Sequence, residues 1–88
     1  MKRYYRYVHR LTPVGSLVLR FYHSGGEVKG FLREVAADEE DDRIFPSEEL
    51  SPEIAFRLAD NKRASPHQPI YIELMEGVTW NPDWGELS

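Results

Sequence analysis

The chain of 88 residues contains no cysteine. That absence removes disulfides, thiolate zinc sites, haem attachment and iron–sulfur clusters. Long apolar runs are missing as well. Behind the basic stretch from Met1 to Arg10, the longest uninterrupted run nearby is Leu17 to Leu19. An export signal needs ~7–15 apolar residues and a membrane span ~20. A cytoplasmic chain without membrane contact is the expectation. Phosphate-binding glycine loops, nucleophile-elbow serines and histidine pairs at helical spacing are also lacking, so no pattern names an enzyme and no cofactor is expected.

Metal chemistry has little to stand on. His9, His23 and His67 are scattered over two predicted strands and a loop, whereas zinc needs three or four converging ligands. The run Asp38 to Asp42 invites comparison with a calcium loop, and Glu49 fits the twelfth position. The sixth position, however, is Arg43 where a glycine is required. No metal is expected there either.

Short length is the second shortage. A chain of this size hides only roughly 60% of the surface its unfolded form exposes, so one thin core and one domain spanning 1–88 are expected. With disulfides and metals excluded, self-association is the remaining way to bury more apolar surface. The charge is polarised. Residues 1–33 hold seven basic groups and one acid, and residues 34–88 hold four and fourteen, which gives +6 and −10 within a net −4. Halves that complement each other, in one chain or across a dimer, account for this more simply than a polyanion partner, which overall acidity would repel.

What is present reads as strands and one helix. Tyr4 to Leu11 is aromatic and free of glycine and proline, which predicts a strand. Thr12-Pro13-Val14-Gly15 predicts a turn. Ser16 to His23 and Glu27 to Val35 alternate around Ser24-Gly25-Gly26-Glu27, a two-residue hairpin loop. That loop pairs Tyr22 with Lys29, Phe21 with Gly30, Arg20 with Phe31 and Val18 with Arg33. Leu17, Leu19, Phe21, Val28 and Leu32 then form the core face, with Gly30 leaving room for the Phe21 ring. Residues 37–43 predict an acidic solvated loop. Ser51-Pro52-Glu53 starts a helix running to about Arg63, with Ile54, Ala55, Leu58 and Ala59 on its apolar stripe. Phe56 lies off that stripe, to pack on the C-terminal tail or on a second subunit. Ile70 to Glu76 predicts a last strand, with Pro69 hinting at an edge. In the tail, 77–88, Asn81-Pro82-Asp83 turns the chain and brings Trp80 near Trp84. The tail either covers the core or reaches out as a recognition arm.

The expected fold is a two-layer α+β domain: a three-stranded antiparallel meander, then one helix and a final strand. Its second sheet face gathers Tyr5, Tyr7, Val18, Arg20, Tyr22, Lys29, Phe31 and Arg33, with His9 beside them. Tyrosine and arginine are enriched at interfaces, and rings among cations also suit single-stranded nucleic acid. The first choice is a small homodimeric binding module without catalytic activity, contacting a second copy or another protein partner. Single-stranded nucleic acid is the alternative partner. Phe56, Trp80 and Trp84 complete the candidate contact residues.

Overall fold

The computed structural model describes residues 2–37 and 43–88, so the predicted acidic loop lies largely outside the described residues. The Gly-Gly hairpin organises the sheet. Gly25 and Gly26 take φ of 60° and 89°, the left-handed geometry that a two-residue loop demands. They join β2 (Leu17–Ser24) to β3 (Glu27–Glu34). The pairing runs as the loop dictates, from Ser24 opposite Glu27 to Val18 opposite Arg33. Gly30 is held by a close approach: a Cβ there would sit 2.7 Å from Cδ1 of Phe21.

Among the described residues, six strands form one mixed sheet in the order β4-β3-β2-β5-β1-β6. The others are β1 (Arg3–Arg6), β4 (Arg43–Leu50), β5 (Ile70–Leu74) and β6 (Glu86–Leu87). The meander is therefore β2-β3-β4, one strand later in the chain than expected. β1 does not touch β2. It lies parallel to β5, with Tyr5 opposite Tyr71, and β5 in turn lies parallel to β2, with Leu19 opposite Ile72. Pro69 does not mark an edge, because it stands just before the first ladder residue, where its missing N–H is not needed.

β1 is also shorter than its sequence predicted. The Thr12 hydroxyl accepts a hydrogen bond from Val8 N–H at 2.9 Å, and Arg10 adopts a positive φ. A turn thus forms inside the predicted strand. β4 was not expected, since Ile44-Phe45-Pro46 reads as a returning loop.

Three connections join parallel strands, and right-handed crossovers decide which face each covers. From β4 to β5 the chain passes through α1 (Pro52–Lys62), and from β5 to β6 it passes through the tail. Both move in the same direction along the sheet and lie on one face. The connection from β1 to β2 moves the opposite way, so residues 7–16 cross the other face.

The first face is the core. Leu17, Leu19, Phe21, Leu32, Ile70 and Ile72 bury against Ala55, Phe56 and Ala59 of the helix. Ser51 precedes the helix without a side-chain cap, and Pro52 opens it. The buried stripe is rotated from the predicted one: Phe56 is inside and Ile54 is 49% exposed. The tail explains the rotation. Phe56 meets Trp80, Trp84, Tyr4 and Phe21 at centroid distances of 5.0 to 6.1 Å. Trp84 stacks on Phe21 at 5.2 Å, and Trp80 donates its indole N–H to the Gly85 carbonyl. The tail covers the core, as the first of its two alternatives held. Among the described residues no helix is long and apolar enough to cross a membrane.

Candidate functional site

Side chains alternate across a strand, so the register that buries Leu19 and Ile72 sends Arg20 and Glu73 outward. Two rows of the outer face follow. One runs Ile44, Arg33, Val18, Tyr71, Tyr5, and the next runs Phe31, Arg20, Glu73. Tyr7 extends the second row, since its N–H still bonds to the Ile72 carbonyl at 2.8 Å.

Glu73 is the electrostatic centre of this face. Arg20 donates to it twice, Nε to Oε1 at 2.9 Å and Nη2 to Oε2 at 3.2 Å. Arg33 Nη2 donates to Oε1 at 2.8 Å. Burial raises the Glu73 carboxyl, but the hydrogen bonds and charges of the two arginines outweigh burial and hold it below its ordinary value. Each guanidinium also lies against a ring: Arg33 is 4.5 Å from the Tyr7 centroid and Arg20 is 5.9 Å from that of Phe31.

Around this network lies an open concavity of about 730 Å3, lined by Tyr7, His9, Arg20, Phe31, Arg33, Ile44 and Glu73. The Tyr7 hydroxyl and His9 Nδ1 are 3.2 Å apart. Farther along the face Tyr22 and Phe31 are in ring contact at 6.0 Å. Burial, then the Glu49 hydrogen bond and charge, raise the Tyr22 phenol. Lys29 Nζ lies 3.3 Å from the Glu27 carboxylate.

Of the residues expected to form the contact face, Tyr7, Arg20, Phe31 and Arg33 line the concavity. Tyr5, Tyr22 and Lys29 lie outside its lining on the same face. Val18 is fully buried beneath its neighbours and offers no surface. Phe56, Trp80 and Trp84 belong to the core side, so they are not part of this face. Glu73 and Ile44 were not singled out. Glu73 alternates with Ile72 and Leu74 along the strand, but only the placement of β5 between β1 and β2 shows which cations it meets. Ile44 carried no signal, since the acidic segment before it hid the strand.

Among the described residues there is no group of three or more histidines and acids able to hold a metal ion. His23 Nε2 is engaged by the Gly77 carbonyl at 2.8 Å. Comparison with protein-family models, curated proteins and solved structures gives no match. Function is therefore argued from the face itself.

Proposed function

We propose that the protein is a binding module whose outer sheet face docks on another protein surface, with a second copy of this chain as the occupant. The observation that supports this is the state of the cations. Arg20 and Arg33 are tied to Glu73, and Lys29 to Glu27, so the face offers rings and aliphatic surface more than unbalanced charge. Ile44 is 54% exposed, and Tyr5 and Val8 are exposed as well. Half-desolvated arginine, tyrosine and phenylalanine around a hollow is the composition of a protein interface core.

Charge supports a second copy as the partner. Arg10 follows β1 in the segment that crosses the outer face, and Glu49 lies on β4 beside Ser24 at the other side of the sheet. A two-fold axis lying in the plane of the contact and parallel to the strands lays the β1 side on the β3–β4 side, the self-complementary arrangement of an isologous dimer. The two longer dimensions of the molecule, 34 and 28 Å, leave room for the roughly 800 Å2 that each partner of a stable complex buries.

Light scattering at micromolar concentration tests the reading, with a dimeric mass expected. A monomeric mass would count against it. Fluorescence anisotropy with a labelled single-stranded oligonucleotide at low ionic strength separates the competing partner. No binding is expected, whereas tight binding that collapses with added salt would favour nucleic acid.

A further inference from the structure

Arg20 brings into this basin a donor that no described residue uses. Arg20 spends Nε and Nη2 on Glu73, while its Nη1 has no hydrogen-bond partner among the described residues. Its side chain is 36% exposed and lines the concavity beside His9, the Tyr7 hydroxyl and the apolar walls of Phe31 and Ile44. Glu73 holds the guanidinium in place through two hydrogen bonds, and Phe31 supports it from one side. The planar fork is thus oriented before any ligand arrives, which reduces the rotamer freedom lost on binding.

We infer that the basin recognises a carboxylate, the acidic side chain of the docked chain, through Arg20 Nη1 with His9 and Tyr7 as neighbouring polar contacts. The inference deepens the docking reading and rests on it for the source of the carboxylate. Charge favours a carboxylate over a phosphate. Glu73 already lies against the Arg20 guanidinium, so a dianion would meet more repulsion there than a single negative charge. A carboxylate also matches guanidinium geometry while leaving the aromatic walls to contact the methylenes behind it. A second copy supplies the chemistry readily, since fifteen of its residues are Asp or Glu.

Acetate is the minimal probe. The Tyr5→Asn variant removes an exposed ring from the same face outside the basin lining, so it weakens a face-to-face dimer while leaving the basin's own residues in place. Titration of that variant with sodium acetate at constant ionic strength, followed by NMR at the Arg20 Nε–Hε and the Phe31 amide, should give saturable shifts with a millimolar midpoint. Acetamide should give none, and phosphate should bind no more tightly than acetate. Adding Arg20→Gln should weaken acetate by about tenfold or more, read at the Phe31 amide. Acetate shifts no larger than those of acetamide would overturn the inference, as would clear preference for phosphate. Failure of the two proposals is distinguishable. A parent chain that stays monomeric yet binds acetate retires the docking reading and leaves the carboxylate site. A dimer whose basin ignores acetate does the reverse.

Discussion

The Glu73 carboxylate accepts hydrogen bonds from Arg20 and Arg33 on a sheet face where Arg33 is itself buried. Glu73→Gln would leave the two guanidiniums near each other without their shared anion. Removing one partner of a fully buried pair costs 3–5 kcal/mol, and since Arg20 is partly open to water a loss of about 2–3 kcal/mol is expected, read as a lower urea midpoint. The pH dependence has a definite sign. The folded carboxyl lies below its ordinary value of 4.5, so the unfolded chain takes up its proton first. The contribution is complete above that value and is lost as the pH falls through the folded one. Wild-type stability should decline on acidification from that point, and E73Q should lack this part of the decline. Gly30→Ala acts on the opposite face. The new methyl group must displace the fully buried Phe21 ring, at a cost of about 1–3 kcal/mol in the same melt.

At the scale of elements, the hairpin was legible because two glycines fix both turn and register, and side-chain faces follow from register alone. Strand order was not legible. Tyr4 to Leu11 carries the pattern of a strand that could pair with any neighbour, and only the return of Ile70–Leu74 into the gap decides that β1 lies beyond β5. The crossing segment that results, residues 7–16, lies on the face toward which the buried Val18 points. The helix shows a different limit. Ile54 and Phe56 are both apolar and about 200° apart, so spacing offers two stripes, and the tryptophans of the tail decide between them. Phe56→Ala should cost about 3 kcal/mol or more by loss of packing against four rings. Ile54→Ala should change the urea midpoint little, at about 0.5 kcal/mol or less. Comparable losses at both positions would contradict the rotated stripe.

For the whole molecule, the edges of the sheet matter as much as its face. β6 has two residues, and β4 combines Pro46 with a register shift between the partners of Gly30 and Leu32. Short strands, prolines and bulges are the devices that discourage edge-to-edge pairing. The outer face is the surface left for the proposed association, since α1 and the tail cover the core face. The candidate residues on that face were half legible: the alternation of β2 and β3 located Arg20, Phe31 and Arg33, whereas Glu73 and Ile44 needed the tertiary fold. Sedimentation equilibrium on the wild-type chain, Ile44→Asn and Ile54→Asn tests the central claim most directly, because both isoleucines are exposed but on opposite faces. The account predicts a wild-type dimer, a dissociation constant raised about tenfold or more by I44N, and no change from I54N. A wild-type monomer at micromolar concentration, or a dimer weakened by I54N and indifferent to I44N, would contradict it.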